Sequence, residues 1–546
     1  LFDPSAYPFL EGGLPGWTAA VKLAEDRAEV ALPSVDDATI HDVLQALVVL
    51  EGQRLSYRDL SVEQIGAVYE SLMGYRVERM EGPAVRLGKN GVWVEVDTLR
   101  RASKTEQKKL LEDRCDLSAA AIKNVTAALA EHTSADAAAD AIAAAISTKK
   151  DRLKSRARTG QLVLQPTASR RSTGSHYTPR SLSERVVRRT LEPLLRCLGE
   201  APTAKRVLEL KVCDPAMGSG AFLVEACRFL GEQVVDAWRR SGELPAMIEA
   251  HGDPLRFAKR LVAETCLYGV DKNPAAVELA KLSLWLETMS ADRSFTFLDH
   301  VLRHGDSLVG LDLDQTRAFH WAPEKQQATI RQVLDQAVQE VREHREAIQH
   351  LAEDETDFAQ REKRRLLEIA DLAMERIKLV ADACVGAFFA GDKPKAREAE
   401  RVRRLDVVEA WLRGDETKRE QAEAWSHDIR ERHAPFHWHL ELPEVFFLER
   451  PDPLDEERVN GAAFVDAFVG NPPFAGKSGV AEIGEGYLDW LLTTHAGAHG
   501  NADLSAHFFR RAATLLGAHG TLGFIATVTI AEGDTRATGL QRIVED

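Results

Sequence analysis

Apolar positions follow different rhythms in successive parts of the chain. Up to about residue 150 they recur mainly at helical spacing. Residues 61–75, SVEQIGAVYESLMGY, place Ile65, Val68 and Leu72 on one helical face, and the Ala-rich residues 118–147 carry a helical apolar stripe. Residues 84–96, AVRLGKNGVWVEV, break that rhythm and predict a hairpin turned by Asn90-Gly91. From about 177 to 310 the pattern becomes short apolar run, tight turn, amphipathic helix: RVLELKVCDP, AFLVEACRFLGEQVVDAW, CLYGVD, NPAAVELAKLSLWLETM. Such alternation predicts a parallel sheet covered by helices. Residues 324–384 are charged, with Ile330, Val333, Leu334, Val338, Val341 and Ile348, then Leu366, Ile369, Ala373, Ile377 and Val380, on single faces. They predict an antiparallel helical arm. Alternation resumes at FHWHLELPEVFFL and FVDAFVGNPPF, and GTLGFIATVTI reads as a buried strand.

At 546 residues the chain exceeds one compact core and implies several domains. No apolar run reaches the roughly 18 residues of a membrane span, and the N-terminus lacks a signal core, as expected of a cytoplasmic chain. Cys115, Cys197, Cys213, Cys227, Cys266 and Cys384 are far apart, so neither a disulfide framework nor a metal site is expected. Cys213 and Cys266 fall in predicted strands and read as buried structural thiols. The net charge of -15 argues against a uniformly basic nucleic-acid coat. Residues 149–189 nevertheless hold twelve basic and two acidic side chains, a local +10 that suits either a solvated linker or a phosphate-contacting segment. Residues 151–176 read as a domain boundary.

Candidate chemistry gathers at predicted strand ends. In DPAMGSGAF, Asp214 closes the first strand and Gly218 and Gly220 permit a tight turn and close backbone approach to a ligand. In YGVDKNP, Asp271 closes the second, placed to bind two ribose hydroxyls, with Asn273 and Pro274 at a helix start. A full G-x-G-x-x-G phosphate loop is absent, which favours a nucleoside cofactor without a pyrophosphate. Asp306 of HGDSL follows a third short strand, where it could accept from an adenine amino group. In FVDAFVGNPPFAG, consecutive prolines remove two backbone donors and forbid continuation of strand or helix. Asp97 with Glu106, Gln107 and Lys108 matches a nuclease carboxylate-lysine pattern only loosely, and a solvated helix is the better reading.

These motifs, in the order GSHYTPRSLSERVV, DPAMGSGAF, GVDKNPAAVELAKLSLWL, GDSL, FHWHLELPEVF, GNPPF, GNADLSAHFFRRAATLL and GTLGFIATVTI, resemble the large adenine-specific DNA methyltransferases. The nearest likeness is to those of type IIG restriction-modification enzymes and of the BREX and DISARM phage-defence systems. The resemblance implies an α/β fold with a Rossmann-like methyltransferase core, an N-terminal helical domain at 1–165 and an inserted helical arm at 321–436. The core would occupy 166–320 and 437–546, with a target-recognition domain expected beyond 546. It implies S-adenosylmethionine as cofactor, held by Tyr177, Thr178, Pro179, Asp214, Pro215, Ala216, Gly218, Gly220, Asp271, Lys272, Asn273, Asp306 and Ser307. Thr178-Pro179 reads equally as a helix cap and first residue. The implied catalytic residues are Asn471, Pro472, Pro473 and Phe474: side-chain and main-chain oxygens accept the adenine amino hydrogens, and Phe474 stacks on an extruded base. Double-stranded DNA is the implied partner, with other subunits of a restriction or phage-defence complex as further candidates. A protein-glutamine methyltransferase, which shares the Asn-Pro-Pro signature, and a catalytically idle scaffold are the alternatives.

Overall fold

The computed structural model describes residues 75–88, 91–115, 117–146, 155–166, 178–242, 253–289, 296–322, 331–352, 356–446, 451–452, 455–459 and 464–545, with isolated positions between 41 and 54. The chain forms two compact units, Leu1–Ser61 and Val62–Asp546. Within the first, the described strands are an antiparallel pair, Val49–Leu50 and Gln53–Arg54.

The second unit is organised on a parallel sheet of β1 (Val212–Asp214), β2 (Leu267–Asp271), β3 (Leu302–His304), β4 (Val465–Gly470) and β5 (Leu516–Phe524). Their spatial order is β3-β2-β1-β4-β5, with every pairing parallel. Residues of β1 and β4 are buried throughout, because helices cover both faces of such a sheet and leave no solvated side. Chain progression reverses between β1 and β4, which opens a crevice at the carboxyl ends of those two strands. Around the sheet lie α1 (Arg180–Cys197), α2 (Ala221–Ser241), α3 (Pro254–Thr265) and α4 (Pro274–Thr288). Asp253 and Asn273 cap α3 and α4, and each is followed by a proline whose fixed φ suits a first helical position.

Between β3 and β4 the chain runs through α5 (Arg331–His350), α6 (Asp357–Phe389), α7 (Pro394–Leu412) and α8 (Arg419–His433). Val341, Ile348, Leu366, Ile377 and Val380 are buried, as their spacing predicts. Charged groups also attach these helices. Arg345 of α5 reaches Glu444 at 2.8 Å, and Lys363 of α6 reaches Glu264 of α3 at 2.6 Å, all four side chains being buried. Glu441 lies 2.9 Å from Arg303 of β3 and 2.8 Å from Lys378 of α6. The tautomer of His437 is set by its neighbours. Its Nδ1 accepts the Leu311 N–H at 3.0 Å, so Nε2 carries the proton and donates to Asp382 Oδ1 at 3.0 Å. The run FHWHLELPEVF is therefore two short helices, Trp438–Glu441 and Pro443–Phe446, whose polar side chains tie α5 and α6 to the sheet.

Several local expectations need correction. RVLEL is not strand: Thr203 caps a helical turn, Ala204–Leu208, by accepting the Arg206 N–H, which confines β1 to three residues. GTLGFIATVTI is a strand only as far as Phe524 and is partly exposed, because β5 has one described neighbour, and Val528 beyond it is exposed. Cys266 is buried but closes α3 instead of lying in β2. The described N-terminal residues add strands to the expected helices. Ala84–Leu87 and Val92–Glu95 form the hairpin, although Lys89 and Asn90 of its turn lie outside the described residues. Arg156–Ala157 joins that hairpin, and Leu162–Pro166 pairs with Tyr75–Arg79, both inside the stretch expected to be a boundary. Buried Gln165 ties that second pair to the hairpin: its side-chain amide accepts the Trp93 N–H at 2.7 Å and donates to the Trp93 carbonyl at 2.8 Å. The helix expected at 61–75 lies outside the described residues apart from Tyr75, which starts a strand. Glu106 is committed to a capping box with Ser103. Among the described residues there is no group of His, Cys, Asp and Glu that could hold a metal and no helix long and apolar enough to cross a membrane.

Candidate active site

The turn after β1 is where the backbone becomes unusual. Gly218 and Gly220 have φ of 53° and 83°, the left-handed region that side chains disfavour. A Cβ on Gly220 would also lie 3.2 Å from the Ala280 Cβ, so glycine lets the turn pass against α4. The turn is fastened to β2 through Asp271, whose carboxylate accepts the Gly218 N–H at 2.9 Å and the Asn273 N–H at 2.8 Å. Burial raises the Asp271 carboxyl above its ordinary range despite those two hydrogen bonds. Asn273 uses its side-chain oxygen to cap α4 through the Ala275 N–H at 3.1 Å.

Asp214 ends β1 almost fully enclosed. One carboxyl oxygen accepts the Ala216 N–H at 3.0 Å, and the other, also buried, has no partner. Burial pushes this carboxyl up to about 8. At the end of β3, buried Asp306 accepts from Lys272 Nζ at 2.9 Å, from the Leu308 N–H at 3.0 Å, and at both oxygens from the Tyr487 hydroxyl at 3.0 and 3.1 Å. Burial and Asp306 hold the Tyr487 phenol well above its usual range, so it remains a donor. Beside it, His433 stacks on Phe389 at 4.0 Å, and burial, with Lys272 nearby, lowers this imidazole to about 4. Ser307 donates to the Pro215 carbonyl at 2.5 Å, joining the loop after β3 to the turn after β1.

Asn471 follows β4. Gly470 before it is constrained by Asp214, whose Oδ1 would lie 2.7 Å from an added Cβ. The Asn471 side-chain nitrogen donates to the Thr178 hydroxyl at 3.2 Å, while its oxygen is buried without a partner. Pro472 is buried, and Pro473 and Phe474 are half-buried. The loop is tied down beyond them by the Leu504 N–H, which donates to the Ala475 carbonyl at 2.8 Å at the start of α9 (Leu504–Leu515). Thr178 is buried, and Pro179 occupies the N-cap of α1, one position earlier than a first helical residue. Tyr177 lies outside the described residues.

Parallel strands thus bring Asp214, Asp271, Asp306 and Asn471 to one edge of the sheet, with glycine turns between them. Residues 265–543, just over half the chain, match the Eco57I restriction-modification methylase family. The chain belongs to that family. Residues 162–320 of this Eco57I-family chain also match the N-6 DNA methylase family, so the two matches together contain every candidate residue. The chain is 26% identical over 161 residues to the type II restriction enzyme and methyltransferase RM.Eco57I of Escherichia coli, a stretch that makes up 28% of this chain and 16% of that protein.

Tyr487 escaped the reading of the sequence. GYLDWLL looks like an ordinary amphipathic helix, and nothing local marks its tyrosine as a partner for an aspartate 181 residues away. The basic segment divides by environment. Arg156 pairs with Asp136 at 2.6 Å and Asp140 at 2.9 Å, and Arg180 with buried Glu225 at 3.0 Å, whereas Arg185 and Arg189 are exposed on α1.

Proposed function

We propose that this Eco57I-family chain transfers the methyl group of S-adenosylmethionine to N6 of an extruded adenine in double-stranded DNA, as the modification component of a restriction-modification or phage-defence system. The observation that carries this reading is the Asn471 side-chain oxygen: buried, unpartnered, anchored through its nitrogen, and at the same sheet edge as Asp214, Asp271 and Asp306.

The residues suit the cofactor. The Asp214 oxygen that lacks a partner is a buried acceptor suited to an ammonium group, and the Gly218–Gly220 turn leaves no room for a side chain against α4. Asp271 is placed for the ribose hydroxyls, and Asp306, with Lys272 and Ser307, for the adenine edge. Pro215, Ala216, Asn273, Tyr177 and Pro179 complete the proposed binding set. When bound, S-adenosylmethionine supplies an electrophilic methyl group on a sulfonium. The nitrogen to be methylated is a poor nucleophile because its lone pair is delocalised into the purine. The Asn471 oxygen and the Pro472 carbonyl accept its two hydrogens and favour a tetrahedral nitrogen with the lone pair directed away from the ring. Pro472 and Pro473 fix φ, so the carbonyl direction is set before the base arrives. Phe474 offers a face for the base to stack on. Arg185 and Arg189 are suited to phosphates. The proposed division into a helical domain at 1–165, a core at 166–320 and 437–546, and an arm at 321–436 belongs to the same reading.

A glutamine amide presents the same chemical problem, so a protein substrate is the second reading. Tritiated methyl transfer from S-adenosylmethionine to phage DNA and to ribosomal protein, run side by side with the full chain, separates them. Label in alkali-stable, nuclease-sensitive DNA is expected. Label in protein alone would replace the proposal, and label in neither would leave the scaffold reading.

Cofactor binding is expected to depend on Asp271. Replacing it with alanine removes a charged acceptor and releases the Gly218 N–H, which should weaken S-adenosylmethionine by about 1.5–3 kcal/mol. Titration calorimetry reads this directly, and an unchanged affinity would take Asp271 out of the site.

A further inference from the structure

We infer that Thr178 is a positioning residue for Asn471, holding the amide so that its oxygen faces the crevice; this rests on the proposed role of Asn471 as an acceptor for the substrate amino group. The family resemblance implies a cofactor contact for Thr178. Its hydrogen bond joins it instead to the residue proposed to hold the base.

An asparagine amide has an acceptor end and a donor end of nearly the same size, so shape alone does not choose between them. Turned the wrong way, Asn471 would present N–H to a substrate amino group, donor against donor. In the structure the amino end of Asn471 meets the Thr178 hydroxyl at 3.2 Å, and the oxygen is left without a partner. Thr178 is itself buried, so water competes little for that hydrogen bond.

Its own position is firmly set. Pro179 has a φ of -56° at the N-cap of α1, and its carbonyl accepts the Leu182 N–H at 2.8 Å and the Ser183 N–H at 3.2 Å. Next along, Arg180 is held at 3.0 Å by Glu225 of α2, a buried carboxylate that Arg228 also engages at 2.5 Å. Farther along α1, the Thr190 carbonyl accepts the Thr521 hydroxyl at 2.9 Å from β5. α1 is thus pinned to α2 at its start and to the sheet farther along, and Thr178 transmits that rigidity to the residue after β4.

The test compares Thr178→Val, which keeps the shape and removes the hydroxyl, with Thr178→Ser, which keeps the hydroxyl. For Thr178→Val, kcat for methyl transfer should fall about 10- to 50-fold, with KM for DNA, calorimetric affinity for S-adenosylmethionine and melting temperature close to wild type. Thr178→Ser should recover activity to within a few-fold. Wild-type kcat in Thr178→Val overturns the inference, as does serine performing no better than valine. A loss of cofactor affinity that accounts for the whole loss of activity would make Thr178 a cofactor contact instead. A crystal structure of Thr178→Val provides a readout that needs no turnover: the Asn471 side chain should leave its wild-type rotamer, and finding it unmoved also overturns the inference. An inactive wild-type chain would count against the proposed function alone, and the crystallographic comparison would still decide the role of Thr178.

Discussion

Asn471→Ala should lower methyl transfer to DNA by at least roughly 10²–10³-fold, the scale for removing one preorganised polar group from a reacting centre. The effect should fall on turnover. Alanine deletes the buried oxygen that has no partner in the protein, so no internal hydrogen bond is broken on that side. It also deletes the bond to Thr178, at the small structural cost of one hydrogen bond of 3.2 Å in a half-buried loop. Asp271 and Asp306 keep their backbone and side-chain partners, so S-adenosylmethionine affinity should stay within a few-fold. Tritium incorporation and calorimetry on the same preparation measure both quantities. If affinity and turnover fall together, Asn471 belongs to the cofactor site and the proposed division of labour is wrong.

Glu441→Gln should be the most destabilising of these changes, by about 3–5 kcal/mol, the usual result of breaking a buried ion pair from one side. Glu441 is 7% exposed and sits between Arg303 and Lys378 at 2.9 and 2.8 Å. Asp371 remains 3.0 Å from Arg303 and 3.9 Å from Lys378, which bounds the loss. The two cations respond differently to losing the carboxylate. Burial already holds Lys378 below its ordinary range, so it can shed its proton, whereas a guanidinium cannot. The pH dependence has a definite sign. Burial alone would raise the Glu441 carboxyl, but Lys378 and Arg303 bring it well below its ordinary range. A depressed carboxylate stabilises the fold above its unfolded pKa of about 4.3, and that stabilisation is lost as pH falls toward the folded value. Urea midpoints should therefore differ strongly between the wild type and Glu441→Gln at pH 7, with the difference narrowing progressively as the pH falls below about 4. Equal midpoints at pH 7 would show that the attachment of α6 does not depend on this pair.

Much of the site could be read locally. A turn with two glycines after Asp214, and Asn-Pro after Asp271, are short-range devices: left-handed φ, a cap and a fixed first φ act within a few residues. Element lengths were harder. RVLEL is apolar enough for strand, yet the Thr203 cap makes it helix, a competition that composition does not resolve. Burial in β5 was overread because an apolar run carries no information about how many neighbours its strand acquires. FHWHLELPEVF was legible as a signature and illegible as a structure, since its glutamates matter through cations from α5, α6 and β3.

By itself, then, the sequence determined the alternation of strand and helix, the placing of acids and Asn471 at strand ends, and the turn chemistry that holds them there, because each depends on residues close in the chain. Tertiary structure alone decided that Tyr487 and Lys272 meet at Asp306, that Glu441 closes a buried ionic cluster, and that Thr178 holds an asparagine 293 residues away. Those contacts depend on strand order and helix packing, which fix distances between side chains whose separation along the chain says nothing of their separation in space.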